Sequence, residues 1–335
     1  MQKDFLNRNI FKANDIRGIF PSEINEEVVF KIVLGVKNIL KKTVVVGCDA
    51  RLSSPRLYGA VLAALKQDKK IKIIEAGLVT TPAFYFLVNK YGADVGIMVT
   101  ASHNPKQYNG LKIVGKGAVP ISGQVIFNKL EKLGTRKQKL EAFIATHKSA
   151  LVTSSLVSSF EKNKNLKKYI TFLKRFIKVK RSLRIIIDCS NGVAGLVLKE
   201  LLKGNKKITS IFINEKPDGN FPAHSPNPLV SGSLDQIKKE VLKQKADLGV
   251  IFDGDGDRVF FIDNLGREID PDIIGSILMK NYKPPFVVST ISSWRVKKVR
   301  GAVVARVGHL FMKEMMRKKK ASLGMERSRK RSYEG

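Results

Sequence analysis

Two short stretches concentrate side chains able to do chemistry. Thr100-Ala-Ser-His-Asn-Pro105 sets a hydroxyl, an imidazole and an amide in a row, directly after Ala93 to Val99, an apolar, β-branched run that reads as a buried strand. In α/β sheets ligands bind beyond the carboxyl ends of strands, so Ser102 stands where a nucleophile would. The plainer alternative is that Ser102 or Asn104 caps a following helix. The second stretch, Asp253-Gly-Asp-Gly-Asp-Arg258, follows another short apolar strand, Leu248 to Phe252. Carboxylates at alternate positions of an extended segment point the same way, and the intervening glycines permit a sharp turn. Three such charges repel unless a cation neutralises them, and hard oxygen donors with room for water and a phosphate suit Mg2+. An EF-hand fails on spacing, because loop positions six and twelve hold Arg258 and Asn264 rather than Gly and Glu. A solvated acidic turn is the plainer reading here.

The elements that must position these loops alternate between strand and helix. Thr43 to Cys48, Ile71 to Ala76 and Ala93 to Val99 read as strands, with helices over Pro55 to Lys66 and Pro82 to Tyr91 between them. That order argues for βαβ units, a mainly parallel sheet, and loops such as Asp49-Ala-Arg51 and Ser102 gathered on one edge. A hairpin is expected over Gly110 to Ile121, then a helix from Gln124 to Leu133. The polar, serine-rich run from Gly134 to about Ser159 reads as a domain junction. Beyond it come a helix over Phe160 to Lys178 and strands at Leu183 to Cys189, Ile208 to Asn214 and Leu248 to Phe252. Ser190-Asn-Gly-Val-Ala-Gly195 opens a helix and could present amides to phosphate, although turn chemistry explains it as well. A third αβ segment follows, with a helix over Pro271 to Asn281 and strands at Phe286 to Thr290 and Ala302 to Arg306.

The chain has 335 residues, 43% of them apolar, enough for two or three domains with real cores. No run approaches a membrane span, and the opening residues lack the apolar region of a signal peptide. Cys48 and Cys189 each end an apolar strand pattern, which fits buried thiols in a reducing cytoplasm. The formal net charge is +32, and from Arg295 to Arg331 fourteen basic residues face only Glu314 and Glu326. No basic stripe is interleaved with aromatics, so a solvated lysine-rich surface suited to phosphorylated metabolites is expected, without nucleic acid or membrane as partner. Oligomeric state is not legible.

Together the two loops, with Tyr108-Asn-Gly110 and the opening Asn14-Asp-Ile-Arg-Gly18, resemble the α-D-phosphohexomutase superfamily in its phosphomannomutase/phosphoglucomutase branch. The resemblance runs from near the N-terminus to about Ser328. It implies an α/β chain of tandem αβα domains with mixed, mainly parallel sheets: a phosphoserine domain over 1–150, a metal-loop domain over 151–265 and a partial sugar-recognition domain over 266–335. It implies reversible phosphoryl transfer between hexose 1-phosphate and hexose 6-phosphate, through phospho-Ser102 and a hexose 1,6-bisphosphate, with glucose or mannose 1,6-bisphosphate as activator. Asp253, Asp255 and Asp257, with an oxygen of the Ser102 phosphate, would hold Mg2+. Lys112 and His103 would move protons or stabilise an oxyanion, and Arg258 would brace the metal loop. Arg17 would contact phosphate, while Gly308, His309, Glu326 and Ser328 would face the sugar. Thr100-Ala-Ser favours the mannose/glucose branch over glucosamine. His224, in a family-like loop rich in Pro and Gly, is expected to be structural.

The resemblance stops at a departure. Gly324-Met-Glu-Arg-Ser328 matches the first five positions of a G-x-E-x-S-G-H sugar loop, then Arg329 and Lys330 replace Gly-His, and the family's fourth domain is expected to be missing. A truncated or frame-shifted reading frame is expected. The competing functions are a non-catalytic remnant or basic binding protein, and an Mg2+ phosphatase with Asp253 as nucleophile. A Ser-His hydrolase fits worse, since no nucleophile elbow or partnering acid is present.

Overall fold

The structure, a computed structural model, describes residues 7–36, 42–132 and 164–327. The expected junction at Gly134 to Ser159 and the residue Ser328 lie outside the described residues.

The first unit holds strands β1 (Ile16–Ile19), β2 (Thr43–Cys48), β3 (Lys72–Leu78), β4 (Val95–Val99), β5 (Tyr108–Gly115) and β6 (Val119–Ile121). Its helices are α1 (Glu26–Gly35), α2 (Ser54–Lys66), α3 (Thr81–Lys90) and α4 (Gly123–Glu131). Strand order is β1-β5-β4-β2-β3, with β6 on β5. β4, β2 and β3 run parallel, whereas β5 is antiparallel to β4, β1 and β6. Successive residues of the central strands enter opposite cores, as the two-residue period of a strand requires. Val44, Val46, Ile97 and Val99 pack with α1, α2 and α4, while Val45 and Met98 pack with Phe84, Leu87 and Val88 of α3. The helices start where capping chemistry allows. Asn25 accepts the Val28 amide ahead of α1, a helix the sequence reading does not assign, and Thr80 accepts the Ala83 amide ahead of α3.

One glycine ties this sheet to the site. A Cβ on Gly110 would lie 2.0 Å from the Ile16 carbonyl oxygen, inside the β1–β5 ladder. Gly110→Ala is expected to destabilise the protein by about 3 kcal/mol, read as a lowered urea midpoint; an unchanged midpoint would contradict this packing.

The second unit begins with α5 (Lys164–Lys174), which buries Leu166 and Ile170 in the α3 core. The described helix ends at Lys174 rather than the expected Lys178, and Phe160 to Asn163 of the expected helix lie outside the described residues. Strands β7 (Leu183–Asp188), β8 (Ile208–Ile213), β9 (Leu248–Phe252), β10 (Val259–Asp263) and β11 (Glu268–Ile269) form a sheet ordered β11-β10-β9-β7-β8. Its β9-β7-β8 half is parallel and its β9-β10-β11 half antiparallel, repeating the design of the first sheet. Helices α6 (Ala194–Leu202) and α7 (Asp235–Lys243) cover opposite faces. A third, all-parallel sheet follows, with β12 (Phe286–Ser289) between β13 (Ala302–Ala305) and β14 (Leu323–Met325). Helices α8 (Pro271–Met279) and α9 (Trp294–Lys297) lie on one face and α10 (His309–Lys319) on the other. α10 also packs across β6, and Arg317 donates to the Gly117 carbonyl at 3.1 Å, so the third unit closes back onto the first.

Candidate active site

The loop after β4 is clamped from beneath. Ser102 adopts a left-handed backbone (φ 53), a conformation costly for a side-chain-bearing residue unless its surroundings impose it. Arg51 imposes it. Its guanidinium, 1% exposed, donates to the carbonyls of Ser102 (2.8 Å), Asn104 (2.6 Å), Pro105 (2.7 Å) and Tyr108 (2.9 Å), and its Nε pairs with Asp49 at 3.1 Å. A planar fork with five donors can gather that many acceptors at once; a lysine cannot. Asp49 also accepts from Thr100 and Ser54, closing the network. The sequence reading puts Arg51 on this edge but gives it no role.

The loop after β9 meets this one head-on. Asp253 Oδ1 accepts the amides of Asp257 and Arg258 at 2.9 and 3.0 Å, and its Oδ2 faces Ser102 Oγ at 3.0 Å. Asp255 Oδ1 lies 3.1 Å from the same hydroxyl, and its Oδ2 takes Thr81 Oγ1 at 2.8 Å and Lys112 Nζ at 2.9 Å. Asp257 pairs with Lys112 at 3.0 Å and lies 3.6 Å from His309 Nε2. The segment is a turn rather than an extended strand. Gly256 takes φ +69 and donates to the Asp253 carbonyl, and the Asp255 and Asp257 carboxylates meet on the Lys112 ammonium. Arg258 braces the loop through its backbone, donating to Asp253 Oδ1 and accepting from the Asp253 amide. The Ser190–Gly195 loop is a support: the amides of Asn191, Gly192 and Val193 bond Asn214, Cys189 and Gly254 carbonyls, so turn chemistry rather than phosphate binding explains it.

The electrostatics follow from this packing. Burial, together with Asp255 and Asp257, pushes the Asp253 carboxyl up to about 8. Burial would raise Asp255 and Asp257 as well, but Lys112 reverses it and holds both below the usual carboxylate range. Burial would likewise lower Lys112, yet Asp255 and Asp257 hold it well above its ordinary value. Lys112 is therefore held as a cation, which suits the oxyanion-stabilising half of its expected role rather than proton transfer, for which a lysine base needs a lowered pKa. Burial, with Arg258 and Arg17 nearby, pushes His103 down to about 2, so its ring stays neutral, 3.4 Å from Ser102 Oγ.

The residues expected at the sugar gather beside these loops. Arg17 donates to Asn104 Oδ1 at 2.8 Å and pairs with Asp15, leaving its Nε and the neighbouring Asn14 Oδ1 buried without a hydrogen-bond partner among the described residues. Glu326 accepts the Gly308 amide at 2.9 Å, which docks the turn before α10. His224 is held between Asp188 (3.0 Å) and the Ser225 carbonyl (2.9 Å), while its loop lays Phe221 against the Arg51 guanidinium, 5.3 Å from ring centre to carbon. Burial opposes the imidazolium, but Asp188 outweighs it and raises the His224 pKa. The charged pair thus contributes stability below about pH 6.5 that is lost as pH rises through the raised native value. His224→Gln is expected to flatten that part of a stability–pH profile, and an unchanged profile would remove the pair from the account.

Whether these residues suit Mg2+ is decided by the donor set. Among the described residues, no group of three or more His, Cys, Asp or Glu side chains closes around a metal position. Lys112 lies between Asp255 and Asp257, Ser102 lies between Asp253 and Asp255, and the expected ligand set also counts an oxygen of a Ser102 phosphate. The donors are nonetheless hard, buried oxygens with more negative charge than Lys112 offsets, and the raised Asp253 carboxyl marks the uncompensated part. That set fits a hard divalent cation sharing the site with a Ser102 phosphate.

Comparisons with known proteins agree with this geometry. Residues 8–140 match the model for the phosphoglucomutase/phosphomannomutase α/β/α domain I, and residues 167–266 match domain II. A phosphomannomutase of Escherichia coli is 34% identical over 95% of this chain and 71% of its own length. The chain belongs to the phosphoglucomutase/phosphomannomutase family. A phosphomannomutase of Methanocaldococcus jannaschii is 35% identical over 92% of the chain and 68% of its own length. Among solved structures, a phosphoglucomutase/phosphomannomutase family protein of Burkholderia thailandensis superposes with a TM-score of 0.78 at 28% identity, over 98% of this chain and 74% of that one. Its family makes the chain a phosphohexose mutase of the isomerase class, with the α/β fold of mixed sheets seen here. No described helix is long and apolar enough to cross a membrane.

Proposed function

We propose that the protein interconverts hexose 1-phosphate and hexose 6-phosphate, of mannose or glucose, through a phosphorylated Ser102 and a hexose 1,6-bisphosphate. The observation that carries this reading is the Ser102 hydroxyl, held by an Arg51-clamped loop at 3.0 and 3.1 Å from two buried aspartates. A free sugar hydroxyl attacks the phosphorus on Ser102: its O–H bond and the Oγ–P bond break as the new sugar O–P bond forms, and the proton ends on Ser102 Oγ, giving the bisphosphate. The bisphosphate then returns its other phosphate to Ser102. Mg2+, held by Asp253, Asp255, Asp257 and the Ser102 phosphate, would supply positive charge that spreads the charge on the transferring group. Lys112 stays protonated and adds a second fixed cation beside it. The Arg51 clamp keeps Ser102 aligned, and Arg17, His309 and Glu326 line the approach for the sugar phosphate.

Incubation with glucose 1,6-bisphosphate is expected to add one phosphate at Ser102, located by peptide mass spectrometry. Label on an aspartate that survives in Ser102→Ala would overturn this reading in favour of an aspartate-nucleophile phosphatase.

A further inference from the structure

Two helices start at the metal loop and meet again one turn later. Thr81, at the start of α3, donates to Asp255, and His309, at the start of α10, lies beside Asp257. Residues four apart share a helix face. Four residues along each helix stand Tyr85 and Lys313, and the Lys313 ammonium lies 3.4 Å from the centre of the Tyr85 ring. Among the described residues this contact with the ring is the ammonium's one partner: it makes no hydrogen bond and no ion pair. The groups whose fields reach it are Asp257, Lys112 and Arg317, and burial is the larger influence, pushing its pKa down to about 8. Tyr85 in turn sits in the fields of Lys112, Asp257, Asp255 and Asp15. Asp257 is already held by Lys112, so Lys313 is a surplus cation at the edge of the transfer site.

We propose that Lys313 is a substrate-phosphate ligand: its ammonium rests on the Tyr85 ring in the free protein and moves to a phosphate oxygen when a hexose phosphate enters. This rests on the hexose-phosphate reading above. A cation over an aromatic face is only partly compensated, and a charge-assisted hydrogen bond to phosphate is stronger, so the exchange runs towards the ligand. The ring holds the ammonium within the field of Asp257. Arg317, one further turn along α10, is occupied by the Gly117 carbonyl and anchors the helix that delivers Lys313. Nothing in the sequence singles out Lys313 among so many lysines; only its pairing with Tyr85 does.

The test compares the full chain with Lys313→Met, which keeps the stem and removes the charge, and Lys313→Arg, which keeps the charge. Calorimetric titration with inorganic phosphate and with mannose 6-phosphate is expected to show about 10-fold weaker binding of both in Lys313→Met. Lys313→Arg should stay within about 3-fold of the parent, with thermal midpoints unchanged. A second measurement needs no variant: added phosphate should slow acetylation of Lys313 by acetic anhydride, read by peptide mass spectrometry. Phosphate binding that depends on Lys313 without hexose phosphate isomerisation would sink the mutase reading and keep this site. Turnover with unchanged KM, affinity and Lys313 acetylation would overturn the site and keep the mutase. Absence of phosphate and mannose 6-phosphate binding in the parent would overturn both.

Discussion

Arg51→Met is expected to lose about 3–5 kcal/mol of stability and to phosphorylate Ser102 about 100-fold more slowly or worse. The substitution keeps most of the stem volume, so the cost is electrostatic. It strands Asp49, 2% exposed, without its cation, and leaves the carbonyls of Ser102, Asn104, Pro105 and Tyr108 short of donors. Freed from those bonds, Ser102 has less reason to hold its left-handed backbone, and its hydroxyl drifts from the aspartates. A second change separates fold from chemistry. Adding Asp49→Asn to Arg51→Met removes the stranded charge and should restore part of the stability, leaving phosphorylation slow. Urea denaturation and the rate of phosphate incorporation from glucose 1,6-bisphosphate read the two effects. Full recovery of phosphorylation in the double variant would show that Arg51 acts only through stability.

That prediction rests on a residue invisible to pattern reading, and the reason is physical. The strand-and-loop frame is legible because it is local: Val44 to Val46 and Ile97 to Val99 alternate between two cores, and both chemical loops follow such strands. Arg51 works across the fold, reaching carbonyls more than fifty positions away, and a lone arginine after a strand carries no signal of that. Lys112 shows the same limit for charge. Its position was legible, but its field comes from Asp255 and Asp257, more than 140 positions distant, and that pairing favours a fixed cation over a base, a choice the sequence left open. α10 escaped assignment because its last turn is a basic run, Arg317, Lys318 and Lys319, that masks the apolar face around Met312.

Asp253→Asn should separate metal chemistry from metal-free stability, with opposite signs. Without metal, the native Asp253 carboxyl titrates at about 8, against about 3.9 for an unfolded aspartate. Between those values the folded protein keeps a proton that the unfolded chain has released, so stability falls as pH rises, by at most about 1.4 kcal/mol per pH unit. Asp255 and Asp257 act in a different window. Their pKa values are depressed, so their contribution is lost only as pH drops through and below the ordinary carboxylate range. His224 adds a slope of the same sign above about pH 6.5, but it is common to parent and variant and cancels in the difference. Asparagine is neutral at every pH and its oxygen can still accept the Asp257 and Arg258 amides. In chelator, Asp253→Asn should therefore match the parent at or below about pH 4 and be the more stable of the two near about pH 8. With Mg2+ the order of function reverses: a negative ligand is missing, and phosphoryl transfer should fall about 100-fold or more. Denaturant midpoints across that pH range in chelator, and transfer rates across an Mg2+ titration, measure the two arms. A variant less stable than the parent at the alkaline end would mean that the buried Asp253 charge is already compensated without metal, and the argument for a divalent cation between these loops would lose its footing.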